Sequence, residues 1–430
     1  MLPAGSPLSD WLTWLETLSP NEIDMGLERV RVVLERLELQ IPPQVLLIAG
    51  TNGKGSCVAM ANALLRAAGY RVGAYTSPHI VDYNERIVIC DRQATDATII
   101  AAFEQVEAER RDIPLTYFEF GTLAAMVAFA KAGLDVWLLE VGMGGRLDAT
   151  NIVEPTASLI TNVSLDHCDW LGEDIESIAF EKAGVMREGT PTVFAAADAP
   201  QSIREHAAQV GADLRLRGRD YDFSRVDDER WRWHGKELEL DDLGAPGLMG
   251  SFQYENAAAV LALLEAAGLG SVLTADQVNS TLPGVRLAGR LQFVASGGVQ
   301  WLLDVAHNPA AASALAGVLT ASVGDKGETW AILGLLDDKD LEGIASELDA
   351  QVDHWIAVTA DSQRAVDAAE LARRVANSCN RPCLIADSVQ EAMDHARLSA
   401  AETDRILVTG SFYLVGPVLG ALELYSRPES

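Results

Sequence analysis

Apolar and polar positions follow two different periods along this chain. Residues 8–18 and 26–38 place apolar side chains at every third or fourth position, which is typical of helices with one buried face. From residue 44 onward, short apolar runs of strand length alternate with longer segments of helical period. We predict strands near 45–49, 71–76, 87–90, 134–140, 157–163 and 191–196, with helices at 95–111, 117–132 and 174–186. This alternation predicts an α/β fold with a mostly parallel sheet.

The pattern changes twice in the second half of the chain. Residues 213–240 form short alternating pieces with two tryptophans, which indicates a small antiparallel insert. Residues 282–290 combine proline, glycine and arginine and are the best candidate linker. Beyond it, further strands are predicted near 299–305, 329–334, 354–359, 382–387 and 405–410. We therefore expect a P-loop-type, mostly parallel sheet domain with the insert over 1–288, and a smaller Rossmann-like α/β domain over 289–430.

The composition is that of a globular protein with a strong acidic excess. The 430 residues include 33 Lys and Arg against 62 Asp and Glu, a formal net charge of −29. This charge disfavours nucleic acid and anionic membranes, so we expect neither as a partner. The five cysteines show no zinc-site spacing, and their odd number indicates reduced thiols. Because we find no secretory signal at the start and no apolar run of bilayer length, we expect a soluble cytoplasmic protein.

The most informative motif is a glycine-rich loop that follows the first predicted strand. It consists of Gly50-Thr51-Asn52-Gly53-Lys54-Gly55-Ser56, and a helix is predicted to begin at Lys54. A helix N-terminus offers unpaired amides to an anion, glycines allow close approach, and a lysine adds charge. The strict Walker pattern fails twice, because Ile48 occupies its first glycine position and Gly55 follows the lysine. A structural turn is the alternative, but the combination favours nucleotide phosphate binding.

Four polar residues of the same predicted domain are candidates for chemistry. Glu140 ends a buried strand, where a carboxylate can hold a phosphate-bound Mg²⁺; the alternative is a cap of the next turn. His167 and Ser77 follow other strand ends, and a loop histidine and a turn serine are their ordinary alternatives. Lys182 lies on an otherwise apolar helix face. Burial there would lower its pKa, whereas the alternative is a side chain that reaches water.

A further candidate segment, residues 304–309, stands where a strand of the second predicted domain turns into a helix. Asn308 is suited to cap this helix, and Pro309 is suited to its first position. Part of the segment is therefore structural. Asp304 and His307 have no capping duty, and we expect them to face a nucleotide across the cleft between the domains.

These motifs together resemble the folylpolyglutamate synthase family, a branch of the Mur ligase superfamily. The matching segments are, in chain order, 50–56, Thr76-Ser77-Pro78-His79, 140–151, Asp166-His167, Glu181-Lys182-Ala183-Gly184 and 304–309. The departures from the Walker pattern are this family's own version of the loop. The resemblance implies ATP- and Mg²⁺-dependent ligation of L-glutamate to a pteroate or folate carboxylate through an acyl phosphate.

The resemblance also implies roles for individual residues. The implied ATP contacts are Thr51, Asn52, Gly53, Lys54, Gly55, Ser56, Asn256, Arg290 and Asp304. The implied catalytic residues are Lys54, Lys182, His307 and Asp304, and the implied magnesium ligands are Ser77, Glu140 and His167. The implied pterin or folate contacts are Ile23, Asp24, Met25, Thr116, Tyr117, Phe118 and Leu147. Lys182 matches the lysine that this family carries as a carbamate. This implied role replaces the interpretation of Lys182 as a side chain that reaches water.

The implied cofactors are Mg²⁺, as two ions, and K⁺, with ATP as co-substrate. The implied partners are dihydropteroate, reduced folates and L-glutamate, bound by a monomer. Two alternatives remain, an enzyme with only one of the two ligase activities and a non-catalytic ATP-binding switch on the same fold. A cell-wall Mur ligase is disfavoured, because the 49 residues before Gly50 are too few for a nucleotide-sugar domain.

Overall fold

The chain is built on three sheets in a computed structural model that describes residue 3 and residues 5–19, 24–227, 229–321 and 327–425. Within these residues there is an eight-stranded sheet, then a three-stranded sheet, then a six-stranded sheet. We call the part that precedes the linker 282–290 the large unit and the part that follows it the small unit. The predicted α/β fold class is confirmed. The exact domain boundary at 288/289 stays a prediction.

The eight-stranded sheet forms the centre of the large unit. Its strands are Gln44–Ala49 (β1), Val72–Tyr75 (β2), Ile87–Ile89 (β3), Arg92–Gln93 (β4), Val136–Glu140 (β5), Ala157–Ile160 (β6), Pro191–Phe194 (β7) and Asp213–Leu216 (β8). Their order is β4-β3-β2-β5-β1-β6-β7-β8. Ile48 of β1 lies opposite Glu140 of β5 and Leu159 of β6 in parallel register. The carboxyl ends of the central strands therefore meet at one edge of the sheet.

Helices cover both faces of this sheet. They are Leu8–Glu16 (α1), Glu28–Leu37 (α2), Lys54–Ala67 (α3), Asp96–Arg110 (α4), Tyr117–Ala132 (α5), Cys168–Leu171 (α6), Ile175–Ala183 (α7), Gln201–Val210 (α8), Phe252–Ala266 (α9) and Ala275–Thr281 (α10). Leu46 and Ile48 share an apolar layer with α3 and α9, whereas Val45 and Leu47 share the other layer with α4 and α5. Alternate residues of a strand point to opposite faces, so β1 is apolar throughout.

The small antiparallel sheet differs from its prediction at one end. Its strands are Asp222–Arg225 (β9), Arg230–His234 (β10) and Glu239–Gly244 (β11). Trp231 and Trp233 are buried against α9, and Trp233 Nε1 donates to Ala258 O at 3.0 Å. The predicted insert over 213–240 is wrong at its start, because residues 213–216 form β8 and pair in parallel with β7. As an edge strand, β8 is partly exposed and resembles a half-buried antiparallel strand in its pattern.

The six-stranded sheet of the small unit has the order β12-β13-β17-β14-β15-β16. Its strands are Gln292–Ser296 (β12), Val299–Leu303 (β13), Thr329–Leu333 (β14), His354–Val358 (β15), Cys383–Ala386 (β16) and Arg405–Thr409 (β17). Its helices are Pro309–Ala321 (α11), Leu341–Leu348 (α12), Ala368–Cys379 (α13), Val389–Ser399 (α14) and Phe412–Ala421 (α15). Every strand predicted here is present. The prediction missed β12, an antiparallel edge strand whose residues are mostly half-buried.

Two predicted elements end early where the chain turns into the region between the sheets. The strand predicted to reach residue 163 ends at Ile160, and the helix predicted to reach 186 ends at Ala183. Among the described residues, every helix is too short or too polar to cross a bilayer.

Candidate active site

A cavity of about 460 Å³ lies between the carboxyl ends of strands from both larger sheets. Its walls are the loops after β1, β2, β5 and β6 and, from the small unit, the loops after β13, β14 and β17. The cavity brings together the residues predicted for ATP binding, catalysis and metal binding: Thr51, Asn52, Gly53, Lys54, Gly55, Ser56, Ser77, Glu140, His167, Lys182, Asn256, Arg290, Asp304 and His307. The described residues predicted for pterin binding do not line it.

The loop 50–56 curves around the N-terminus of α3. Gly50 and Gly53 have φ values of 140° and 87°, which favour glycine. A methyl group added at Gly50 would collide with Thr161 Oγ1, and one added at Gly53 would lie 2.8 Å from Asn256 Oδ1. Within the described residues, no side chain caps α3, so its first amides are left for an anion.

Polar residues just beyond β6 hold this loop in place. Asn52 N donates to Asn162 Oδ1 at 3.0 Å, and Asn162 Nδ2 donates to Asn52 O at 3.1 Å. Thr161 Oγ1 donates to the same carbonyl at 2.7 Å. The sequence analysis did not identify either residue as part of the site. Their signal was a polar pair directly after a buried strand, in a segment that we predicted as part of that strand.

Two lysines converge on the loop carbonyls. Lys54 Nζ donates to Gly50 O at 3.2 Å and to Thr51 O at 3.1 Å, and Lys182 Nζ donates to Gly50 O at 3.0 Å. Lys182 is only 3% exposed, so the water-reaching interpretation is wrong. Burial, reinforced by the charge of Lys54, lowers the pKa of Lys182 to about 7. The charges of Asp166 and Asp148 oppose this shift.

Glu140 provides a buried carboxylate beside the loop. Its Oε2 accepts from Ser77 N at 3.2 Å. Burial raises the pKa of Glu140, while the charges of Lys54 and Arg290 act in the opposite direction. A buried carboxylate and a serine that line the same cavity offer the oxygen atoms that a hard divalent cation prefers, so these two residues fit magnesium.

His167 has a different set of neighbours. Its Nδ1 lies 3.5 Å from Asp338 Oδ2, and its Nε2 lies 4.0 Å from Asp166 Oδ1. Burial lowers the pKa of His167, which favours the neutral imidazole that binds metals. Across the described part of the chain, no group of three His, Cys, Asp or Glu side chains is arranged to hold a metal ion.

The small-unit wall of the cavity presents Asp304 and His307. Asp304 accepts from Leu291 N at 2.8 Å and from Ala306 N at 2.9 Å, so it also fixes the turn after β13. His307 Nδ1 donates to Val305 O at 2.8 Å, which leaves Nε2 facing the large unit. Burial raises the pKa of Asp304, while the nearby charge of Arg290 acts in the opposite direction.

Arg290 and Asn308 complete this wall. The guanidinium of Arg290 lies 5.0 Å from the centre of the Phe412 ring, a cation–π distance. Burial lowers the pKa of Arg290, while Asp304 and Glu140 raise it. Asn308 Oδ1 accepts from Ala311 N at 2.9 Å and thereby caps α11, which confirms the predicted capping role; Pro309 is the first residue of that helix.

Three prominent contacts, among others, join the two units around the cavity. Asn52 and Asn308 exchange amide hydrogen bonds of 3.2 and 3.1 Å. Asp166 accepts from Lys339 Nζ at 2.8 Å. Burial alone would raise the pKa of Asp166, but the neighbouring His307, His167 and Lys339 outweigh burial and hold this pKa far below its usual range. Lys339 was not predicted as a site residue, although the charged run after β14 could have indicated a polar loop at this edge of the sheet.

A third contact is apolar. Ile80, in the loop after β2, packs against the core of the small unit, which includes Val305 and Val415. A methyl group added at Gly416 of α15 would collide with the Ile80 carbonyl oxygen. The two units therefore approach as closely here as backbone atoms allow.

The residues predicted to contact a pterin lie at the ends of helices in the large unit. Thr116 caps α5, where Glu119 N donates to its hydroxyl at 3.2 Å and Glu119 Oε2 accepts from Thr116 N at 2.8 Å. Arg29 ties this cap to Asp24, with distances of 2.9 Å to Glu119 Oε1 and 2.9 Å to Asp24 Oδ2. The tyrosine ring that follows Thr116 lies 5.5 Å from the guanidinium of Arg86.

The other described members of this predicted group have different surroundings. Phe118 lies directly under Gly142, a residue of the cavity wall. Met25 and Leu147 are half-buried, and Ile23 lies outside the described residues. The pterin assignment therefore stays a prediction.

Family models match both halves of this site. The Mur ligase middle domain matches residues 48–264, and the Mur ligase glutamate ligase domain matches residues 289–412. The dihydrofolate synthase/folylpolyglutamate synthase of Escherichia coli strain K12 is 40% identical over 421 residues, which cover 98% of this chain and 96% of that protein. The protein of the same name from Mycobacterium tuberculosis is 35% identical over 388 residues, covering 84% and 78% of the two chains.

Solved structures agree with the family models. The E. coli FolC protein in complex with DHPP and ADP has a TM-score of 0.92 at 39% identity and covers 99% of both chains. A bifunctional folylpolyglutamate synthase/dihydrofolate synthase with Mn, AMPPNP and L-glutamate bound has a TM-score of 0.90 at 41% identity, covering 98% of this chain and 99% of that one.

The fold and the cavity together define the class. A phosphate loop at the edge of one sheet faces a glutamate-ligase domain across a shared cavity, which is the arrangement of a Mur ligase, an ATP-dependent enzyme that forms a carbon–nitrogen bond. Within this class, the chain belongs to the dihydrofolate synthase/folylpolyglutamate synthase family.

Proposed function

We propose that this enzyme adds L-glutamate to dihydropteroate and to reduced folates, giving dihydrofolate and folylpolyglutamates with release of ADP and phosphate. The observation that carries the proposal is the single cavity, because the phosphate loop, a buried carboxylate and the small-unit wall all border it. The relatives bind ligands of these kinds, DHPP and ADP in one structure and AMPPNP, Mn and L-glutamate in another.

The reaction proceeds in two steps. The γ-phosphoryl group of ATP moves to the carboxylate of the pteroate or folate, which gives an acyl phosphate and ADP. The amino group of glutamate then attacks the acyl carbon, an amide bond forms, and phosphate leaves with the loss of one proton from the amine. Phosphoryl transfer depends mainly on positioning and charge neutralisation, and the residues of the cavity supply both.

Residues of both units share this work. In the proposal, residues 51–56 hold the phosphates, chiefly through the amides of residues 53–56 and the ammonium of Lys54, with Asn256 beside Gly53. Arg290, Asp304 and His307 approach the nucleotide from the small-unit side. Asp24, Met25, Thr116, Tyr117, Phe118 and Leu147 are proposed to hold the pterin, together with Ile23.

Magnesium would be held by Ser77, Glu140 and His167, and it would neutralise phosphate charge during transfer. We further propose two such ions and a potassium ion. Lys182 is proposed to react with carbon dioxide, because a buried amine with a pKa of about 7 is largely neutral above that pH. The amine nitrogen then forms a bond to the carbon and releases one proton, which leaves a carbamate anion near the metal.

We place the enzyme in the cytoplasm as a monomer. All five cysteines are free, which is the state that a reducing compartment maintains.

Phosphate release from ATP provides the test. We expect release only when glutamate and either dihydropteroate or tetrahydrofolate are both present, with a product heavier by one glutamyl residue for each acceptor. A product from only one acceptor would reduce the proposal to a single ligase activity. Release without acceptor, or ATP binding without any product, would contradict ligation and favour a nucleotide-dependent switch.

A further inference from the structure

Asp166 is a carboxylate of the large unit whose hydrogen-bond partners come mainly from the small unit. It lies in the loop that follows β6 and is almost completely buried, with 7% of its side chain exposed. Its Oδ1 accepts from Lys339 Nζ at 2.8 Å, and its Oδ2 accepts from Asn308 Nδ2 at 3.0 Å. Oδ2 also lies 3.5 Å from His307 Nε2. Three side chains from two different loops of the small unit thus converge on one carboxylate, and two of them donate hydrogen bonds to it.

This carboxylate is connected to both walls of the cavity. On one side, Asn308 also pairs with Asn52 of the phosphate loop through two amide hydrogen bonds. On the other side, Lys339 Nζ also lies 3.1 Å from Asp338 Oδ2, which in turn lies 3.5 Å from His167 Nδ1. The relative position of the units is therefore tied to the phosphate loop and to a predicted metal ligand at the same time.

The burial of these groups makes the arrangement specific for one position of the units. Lys339 has 6% of its side chain exposed, so its ammonium depends on carboxylate partners in place of water. A buried ion pair loses several contacts at once when one partner is removed, because the other charge stays desolvated. Small displacements of one unit would leave Lys339 and Asn308 without Asp166 while they are still shielded from solvent.

We propose that Asp166 is a positioning residue that holds the small unit against the phosphate loop before any substrate binds. Its carboxylate acts through Lys339 and Asn308 and keeps Asp304 and His307 in place across the cavity. The nucleotide then meets a site that is already assembled. The proposal rests on the proposed function only in its kinetic consequence, because the scattering test needs no ligand and no turnover.

Small-angle X-ray scattering of the ligand-free and metal-free protein is the first test. Asp166→Asn keeps the shape of the side chain but removes its charge, and Lys339→Met removes the main partner. We expect each variant to have a larger radius of gyration than the parent, and the double variant to be no larger than the single ones, because both break the same contact. Additive opening, or profiles identical to the parent, would overturn the proposal.

Asp337→Asn is the matched control. It makes the same chemical change two residues from Lys339, at a side chain that is exposed. We expect its scattering profile to match the parent. Opening of this variant by the same amount as Asp166→Asn would also overturn the proposal, because a general loss of negative charge would then explain both.

Steady-state kinetics provide the second test, on the folded variants. If only a fraction of the molecules has the two units in the competent arrangement, the apparent affinity for ATP falls in proportion to that fraction. Saturating ATP selects the competent arrangement, so the turnover of the saturated enzyme stays close to that of the parent. We expect the KM for ATP to rise about tenfold in Asp166→Asn and Lys339→Met, with kcat within about twofold of the parent. A large fall in kcat at unchanged KM would contradict a positioning role.

The two tests separate this inference from the proposed function. If the parent showed no ligase turnover, the proposed function would fail, but the scattering comparison would still decide whether Asp166 holds the units together.

Discussion

Two strand-to-helix turns face each other across the cavity, and they satisfy their helix N-termini in different ways. In the large unit, β1 leads to α3 through Gly53, and within the described residues no side chain caps the helix. In the small unit, β13 leads to α11 through Asn308, whose side chain accepts from Ala311 N. Asp304 accepts one further amide of the second turn, that of Ala306, and also the amide of Leu291 before β12.

The first turn is therefore open to a ligand, whereas a side chain of the protein itself caps the helix at the second turn. The first turn leaves amides and two lysines directed at one region, so an anion completes it. In the second turn, Asp304 and Asn308 accept from the amides of Ala306 and Ala311, and His307 Nδ1 donates to Val305 O, so the His307 side chain is held in a fixed position. Two turns with the same place in the fold can therefore serve as a receptor for phosphate and as a rigid support.

Removal of the charge from the open turn should have the largest effect. We expect Lys54→Ala to lower kcat by about 10²–10³-fold, the range seen when one preorganised electrostatic donor is lost. Lys131→Ala is the control, because this lysine lies at the C-terminal end of α5, away from the cavity. Normal turnover of Lys54→Ala at saturating ATP would show that the open turn does not hold the reacting phosphate.

The second lysine of the open turn should make stability depend on pH. In carbon dioxide-free buffer, the pKa of Lys182 is about 7 in the folded protein against 10.5 in the unfolded chain. Between these values the unfolded chain binds the extra proton, so the free energy of unfolding rises with pH, by about 2 kcal/mol from pH 7 to 9. Urea unfolding should show that the free energy of unfolding depends less on pH in Lys182→Met than in the parent. An equal pH dependence in both proteins would contradict the lowered pKa of Lys182.

A side chain at the cap of the open turn should weaken both the fold and nucleotide binding. Gly53→Ala is expected to cost roughly 1–2 kcal/mol, because alanine is strained at φ 87°. Gly133→Ala is the control, since Gly133 has φ 61° and open space around it. Thermal unfolding should show a loss for both, larger for Gly53→Ala because its methyl group also meets Asn256, and only Gly53→Ala should raise the KM for ATP.

Loss of the cap from the closed turn should have the smallest effect. Asn308→Ala removes the hydrogen bond that Ala311 N donates, an N-cap worth about 1 kcal/mol, and it also removes the hydrogen bonds to Asn52 and Asp166 across the cavity. Ser388→Ala removes the equivalent cap of α14, away from the cavity. Ser388→Ala should lower the melting temperature by the capping contribution alone, whereas Asn308→Ala should lower it further and also raise the KM for ATP. Unchanged stability of Asn308→Ala would contradict the capping role.

The sequence predicts those parts of the molecule that depend on local pattern. The buried β1 is apolar on both faces, so its strand and the glycine loop after it are visible without a structure. The capping of α11 by Asn308 is local as well. By contrast, β8 and β12 lie at sheet edges, where partial exposure weakens the apolar signal.

Contacts between the units depend on how two sheets face each other, which no local pattern contains. Lys339 is 173 positions away from Asp166 in the chain, and the charged run after β14 does not indicate which residue pairs with Lys339. The role of Asn162 was hidden for a related reason. It follows an apolar run without a break, but the strand stops before it because its side chain bonds the phosphate loop.

The close approach of Ile80 to Gly416 has a consequence for how the protein unfolds. Because the large unit contributes Ile80 to the apolar core of the small unit, the core of the small unit is not complete on its own. Heat should therefore melt both units in one cooperative transition, with a single calorimetric peak, although the chain carries two sheets. A bulky residue at position 416 would act as a wedge and split that peak in two.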